Sequence, residues 1–273
     1  SETGFDMDSK LTSLHNTRVR QAQRLRKKRG RQQQGKIIID GGREILRAAD
    51  AGCQITEIFL CPEWSEDAGS EPLCQQLVDR GLPIVSVTET IMQRLAYGDR
   101  TDGLVAIAVA PEPVSLSQWD PPADGLVAVL ERVEKPGNVG ALIRTADASG
   151  VTALVLADAA SDLYSPNTIR ASIGTVFSFP VFQATAESAL NWLRKNEFQI
   201  WACQVEGKTD YHAVDWQGRS ALVLGSEAHG LTPIWNTEGV DSVGLPMHGI
   251  ADSLNVSITG AVLFYEALRQ RQK

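Results

Sequence analysis

A chain of 273 residues with 43% hydrophobic and 22% charged side chains is long enough for about two compact units, which excludes a short peptide scaffold, wholesale disorder and a fibrous repeat. Its longest apolar run, residues 104–110, has the length of a strand and falls well short of the roughly 18 to 20 residues of a membrane helix. The net charge of −7 speaks by itself against a nucleic-acid partner, yet residues 9–39 carry ten basic side chains and no acidic one, leaving 16 basic against 33 acidic residues elsewhere. Such asymmetry concentrates attraction for a polyanion on one element of an otherwise acidic body.

Glu2, Asp6 and Asp8 argue against a transit peptide, and no apolar core follows a charged start as in a secretory signal, so the cytoplasm is the expected compartment. Residues 1–35 form a basic lead-in. Within it, residues 17–34 lack proline, and Val19, Ala22 and Leu25 or Arg26 recur at helical spacing, which predicts a short, mostly solvated helix or arm. Its Arg18, Arg20, Arg24, Arg26, Lys27, Lys28, Arg29 and Arg31 are the candidates for contact with a nucleic acid.

Residues 36–110 alternate predicted strands (37–39, 55–60, 83–87 and 104–110) with helices (43–51, 73–79 and 89–95), the pattern of a small α/β layer domain. Cys53, Cys61, Cys74 and Cys203 contain no CxxC pair, and His15, His212, His229 and His248 no HxxxH, so neither a disulfide framework nor a metal site is expected. Residues 111–124 hold Pro111, Pro113, Pro121 and Pro122 and no apolar period, as a linker does. From 125 to 273 the alternation resumes. Near-continuous apolar strands at 126–130, 153–156, 200–203 and 221–224 imply a parallel sheet, covered by helices at about 139–149, 186–196 and 254–270.

In an open α/β sheet, ligands bind beyond the carboxyl ends of the strands, and three clusters follow predicted strands here. In EKPGNVGALIRTADASG (134–150), Asn138 is positioned to cap a helix whose Val139, Leu142, Ile143 and Ala146 form its apolar face. Arg144 lies off that face, either paired with Asp147 or free to hold a phosphate. LVLGSEAHGL (222–231) runs from a buried strand into Gly225, where glycine either lets a ligand approach the backbone or merely makes a turn. Leu231 stands where a P-loop needs lysine, so no ATP site follows, and no glycine fingerprint supports a nicotinamide enzyme. LPMHGIADSLNVSITGAVLFYEAL (245–268) places Asp252 or Ser253 as the cap of a helix with Leu254, Ile258, Ala261, Val262, Tyr265 and Leu268 as its core stripe.

NVGALIRTA, LVLGSEAHGL and LPMHGIADSLNVS, in this order near the end of a chain, resemble the three motifs of the SpoU (TrmH-type) RNA ribose methyltransferases of the SPOUT superfamily. The resemblance covers roughly residues 125–273, and the preceding α/β unit resembles that family's ribosomal-protein-like substrate-binding domain. It implies an α/β fold whose C-terminal parallel sheet ends in a deep trefoil knot, a rare exception to unknotted connectivity. It also implies a homodimer, structured RNA as substrate (ribosomal before transfer RNA) and S-adenosylmethionine as cofactor. By position, backbone at Gly225, Leu245 and Leu254 would hold the cofactor, with Leu224, Met247, Ile250 and Val256 nearby. Arg144 is the implied catalytic group, oriented with the ribose by Asn138, Glu227, Ser253 and Asn255. A guanidinium stays protonated, so Arg144 is expected to grip a phosphate and stabilise the developing alkoxide rather than act as a base. The competing reading is a catalytically silent RNA-binding protein of the same fold.

Overall fold

The computed structural model describes residues 10–98, 102–159 and 162–272; the acidic start with Glu2, Asp6 and Asp8 lies outside them. The chain forms two compact units, residues 1–111 together with 164–178, and residues 112–163 together with 179–273.

The first unit begins with α1 (Thr17–Arg24) and α2 (Lys28–Gln34), followed by β1 (Lys36–Asp40), α3 (Gly42–Asp50), β2 (Ile55–Leu60), α4 (Pro62–Asp67), α5 (Glu71–Asp79), β3 (Ile84–Ser86), α6 (Glu89–Leu95) and β4 (Leu104–Val109). Its four strands run in the order β1-β4-β2-β3, with β4 antiparallel to both neighbours and β2 parallel to β3.

Of the two forms expected for the basic lead-in, a short, mostly solvated helix or an arm, the structure shows helix, in two pieces, and docks its apolar face on the sheet. Val19, Ala22 and Leu25 are fully buried in one cluster with Ile38, Phe59 and Ile107 of the sheet and Ile91, Met92 and Leu95 of α6. Asn16 caps α1 through the amide of Arg18. Several of the basic residues also work inside the fold. Arg26 grips Asp40 through two bonds of 2.5 and 2.6 Å and donates to the Leu95 carbonyl, Arg31 is buried and donates to the Leu25 carbonyl at 2.6 Å, and Arg18 pairs with Glu57. Gly30 is needed where α2 meets α1, because a Cβ there would lie 1.9 Å from the Arg24 carbonyl oxygen. Arg20, Arg24, Lys27, Lys28 and Arg29 are exposed.

The second unit holds β5 (Leu126–Glu131), α7 (Pro136–Ser149) and β6 (Ala153–Ala157). The chain then passes into the first unit as α8 (Pro166–Ala171) and a short 3-10 turn, Thr175–Phe177. It returns with β7 (Val181–Ala184), α9 (Ala186–Lys195), β8 (Gln199–Cys203), β9 (Thr209–Asp210), β10 (Ser220–Leu224), β11 (Val240–Gly244) and α10 (Val256–Arg271). The strands pair in the order β7-β6-β5-β10-β8-β11-β9, every pair parallel. Val127, Val129, Val155, Ala221, Val223 and Trp235 share one core cluster, as expected for strands buried on both faces. Among the described residues, no helix is long and apolar enough to cross a membrane.

Helix α10 starts later than the sequence suggested, and its cap is Asn255 rather than Asp252 or Ser253. The register of its buried face shifts accordingly. Val256, Gly260, Leu263, Phe264 and Ala267 point inward, while Leu254, Ile258, Val262 and Tyr265, expected in the core, are exposed. Gly260 sets the contact with α7, since a Cβ there would lie 2.3 Å from Leu142 Cδ2.

Candidate active site

Strand register brings the functional loops together. Leu130 of β5 sits opposite Leu224 of β10, Val223 of β10 opposite Ala202 of β8, and Cys203 of β8 opposite Val243 of β11. The carboxyl ends of these four strands are therefore neighbours, and the segments that leave them share one edge, the usual place for a ligand in an open α/β sheet. A buried carboxylate fixes this edge. Glu131, at the end of β5, accepts from the Thr232 amide at 2.8 Å and its hydroxyl at 2.5 Å, tying the loop after β10 to the strand beside it.

The loop after β10 closes tightly on itself. The Gly230 amide donates to the Ser226 carbonyl at 2.9 Å, and a Cβ at Gly225 would lie 2.4 Å from the Gly230 carbonyl carbon. Of the two roles open for Gly225, the turn thus has a direct steric cause. A branched side chain there would spread the loop before it met any ligand.

Glu227, at the tip of that loop, collects donors from three places. Oε1 accepts from Asn138 Nδ2 at 3.0 Å and Asn255 Nδ2 at 2.6 Å, and Oε2 accepts from Lys135 Nζ at 2.8 Å. Asn255 Nδ2 also approaches Asn138 Oδ1 at 3.3 Å, while its own Oδ1 takes the amide and hydroxyl of Ser257 at 2.8 and 2.6 Å. Asn138 is not the cap of α7, as its sequence position suggested; it lies inside the first turn, with Lys135 at the N-cap, and its side chain crosses to Glu227. The bond from Lys135 is the leading cause that holds the Glu227 carboxyl below its ordinary range. Lys135 is the member of this cluster that sequence reasoning missed. A basic residue just before Pro136 read as part of a turn, and only the register of β5 against β10 shows its partner.

Beside the cluster opens a cavity of about 340 Å³ lined by Leu224, Gly225, Leu245, Met247, Leu254 and Val256, with Ser226, Glu227, Ser253 and Thr259 as its polar wall. Size and lining are those of a site for a small organic ligand, apolar with a few placed polar groups. Each expected cofactor residue except Ile250 is in this wall; Ile250 is fully exposed and outside it. Ser253 lines the cavity but takes no part in the hydrogen-bonded cluster. Arg144 is exposed on α7 and, among the described residues, makes no ion pair with Asp147 or any other carboxylate. Its guanidinium is available to an anion from outside the subunit.

Residues 125–265 match the profile of the SpoU rRNA Methylase family, and residues 16–106 that of the MRM3-like substrate binding domain. The chain is 27% identical over 269 residues to the 23S rRNA (uridine(2479)-2'-O)-methyltransferase of Streptomyces viridochromogenes, covering 96% of this chain and 92% of that protein. A crystal structure of an RNA 2'-O ribose methyltransferase superposes with a TM-score of 0.86 at 35% identity, over 97% of this chain and 100% of the other. The AdoMet-bound rRNA methyltransferase from Sinorhizobium meliloti superposes with a TM-score of 0.83 at 28% identity, over 96% and 97% of the two chains. With more than half its length matched in the catalytic unit, and with the strand-end cluster and cavity formed by the motif residues, this chain belongs to the SpoU rRNA methylase family.

Proposed function

We propose that the protein transfers a methyl group from S-adenosylmethionine to a ribose 2'-hydroxyl of ribosomal RNA. The observation that carries this reading is the Asn138–Glu227–Asn255 cluster standing at the wall of an apolar cavity at the strand ends. The cavity suits the cofactor, because Leu224, Leu245, Met247, Leu254 and Val256 offer apolar walls to an adenine ring, and Ser226, Ser253 and Thr259 offer hydroxyls. When bound, S-adenosylmethionine supplies a methyl group on a positively charged sulfur.

The chain's own residues supply position and charge. A ribose hydroxyl is a weak nucleophile, so its alignment with the methyl carbon and sulfur is the larger part of the task. Glu227, kept ionised by Lys135, fixes both asparagine amides and leaves the cluster rigid at the cavity mouth. Arg144 holds the neighbouring phosphate and stabilises the alkoxide as the proton leaves to water or to that phosphate; a permanently protonated guanidinium is a poor base. The intact cluster and open cavity favour this enzyme over a silent RNA-binding relative.

The working form is a homodimer in which Arg144 of one subunit serves the cofactor of the other. Ile258, Val262 and Tyr265 support this reading as an exposed apolar stripe on α10, a face that a single subunit leaves in water. The cytoplasm is the compartment that matches a ribosomal substrate. The test is to map 2'-O-methylation in total RNA from cells with and without the protein, and to assay purified protein on protein-free 23S rRNA with tritiated cofactor. One ribose that loses its methyl group in the deletion and gains it in vitro is expected; label appearing on a base overturns the reading.

A further inference from the structure

We infer that Arg170, seated on the ring of Tyr97, grips a phosphodiester of the substrate RNA, and that Tyr97 is its positioning residue. The inference rests on the RNA methyltransferase reading and adds a contact that neither the sequence motifs nor the basic lead-in contain.

Arg170 comes from α8, within the part of the chain matched by the methylase profile, yet it belongs to the first compact unit. The segment is held there by several devices. Arg47 donates to the carbonyl of Ile173, a non-glycine residue at φ +50°, and the next residue, Gly174, sits at φ +81° where a Cβ would meet the Glu44 backbone at 3.2 Å. Ser165 caps α8, and Thr168 and Ser172 are fully buried with their hydroxyls bonded locally. Left-handed backbone at a branched residue is strained and persists only where the surroundings impose it.

What the segment presents is one exposed guanidinium. The Arg170 Cζ lies 5.5 Å from the Tyr97 ring centroid, within cation–π range, and Gly98 at φ +62° passes so close that a Cβ would come within 3.1 Å of Arg170 Nη1. Arg26 approaches the same ring at 5.7 Å, but its charge is met by Asp40. Arg170 has no carboxylate partner among the described residues. Arg26 lies between α1 and α2, and Arg24, Lys27 and Arg29, within three residues of it in the chain, are exposed. A ring-held guanidinium that has no carboxylate partner among the described residues fits a phosphate chain, and its planar fork suits phosphate oxygens.

The experiment is a salt titration of binding to protein-free 23S rRNA transcribed in vitro. Arg170→Ala is expected to weaken binding about tenfold and to reduce the log–log salt slope by roughly 0.7 to 0.9, one phosphate contact, with cofactor affinity and thermal midpoint unchanged. Tyr97→Phe should bind like the wild type and Tyr97→Leu about threefold more weakly, while Arg170→Ala with Tyr97→Leu should be no weaker than Arg170→Ala alone. Unchanged affinity and slope in a folded Arg170→Ala protein, with wild-type binding intact, overturn this inference and leave the methyltransferase reading standing. Additive losses in the double variant overturn the positioning role of Tyr97. Wild-type protein that neither binds nor methylates 23S rRNA overturns both readings.

Discussion

Arg144 and Lys135 stand on opposite sides of the distinction between acting on substrate and preparing the site. Arg144 has no intramolecular carboxylate among the described residues, so removing its side chain disturbs little in the resting protein. Arg144→Ala is expected to leave cofactor affinity intact and to lower single-turnover methylation by about 100-fold or more, since its contact matters most as charge develops. A turnover within a few-fold of wild type would remove it from the mechanism. Lys135 acts through Glu227, whose carboxyl it keeps below the ordinary range. The lowered carboxyl remains ionised as pH falls past the usual carboxylate value, and the cluster is lost only when pH falls through its own lower value. Lys135→Ala returns that value upward, so the acid limb of the pH–rate profile should move to higher pH, with the shift shrinking in high salt because Lys135 is largely exposed. An acid limb at the wild-type position would show that Glu227 ionisation does not limit the reaction.

At the scale of elements, α10 shows how amphipathic reading can find a helix and misplace its face. Each of the first three turns of this helix offers apolar side chains on more than one side, and the sequence stripe through Ile258, Val262 and Tyr265 competes with that through Val256, Leu263 and Phe264. The second faces α7 because Gly260 permits the closer approach, a choice that depends on where Leu142 lies and not on local periodicity. The exposed stripe is the face proposed above for the contact between two subunits. On the proposed homodimer, Val262→Asp should sediment as a monomer where the unsubstituted chain sediments as a dimer, with the thermal midpoint of the subunit close to wild type; a dimeric Val262→Asp variant would place the interface elsewhere. The strands were legible because both faces are buried and their apolar runs are continuous, as at residues 126–130 and 221–224. Short β7 and β9 were not, since two to four partly exposed residues carry no period. The cavity wall was legible through motif resemblance, whereas the docking of α1 was obscured by charge: ten basic side chains hid the three apolar residues that bury it. Truncating residues 1–35 would therefore strip a face of the core, and substitutions at exposed Arg24, Lys27 and Arg29 are the cleaner probe of RNA contact.

For the whole molecule, a shared site between subunits has a quantitative signature. Met247→Glu places a carboxylate in the apolar cavity wall without disturbing the Gly225 turn, and should weaken cofactor binding about tenfold or more. Neither it nor Arg144→Ala should be active alone at low cofactor concentration. After subunit exchange about half the dimers are mixed and each carries one intact shared site, so roughly a quarter of the wild-type activity should return. No recovery after verified exchange would assign Arg144 to the cofactor of its own subunit. Residues 164–178 bear on any such dissection of the molecule. Cutting at the proline-rich stretch near residue 111 leaves the amino-terminal fragment without α8, so that Gly174 no longer covers Glu44 and Arg47 and Tyr97 loses its second guanidinium. The carboxyl-terminal fragment would meanwhile carry a loose insertion with nowhere to fold. What sequence profiles treat as two exchangeable modules is, by this thread, a single heritable object: a recombined gene that swaps one module alone inherits a mismatched joint, and only fusions that carry residues 164–178 with the amino-terminal unit keep it whole.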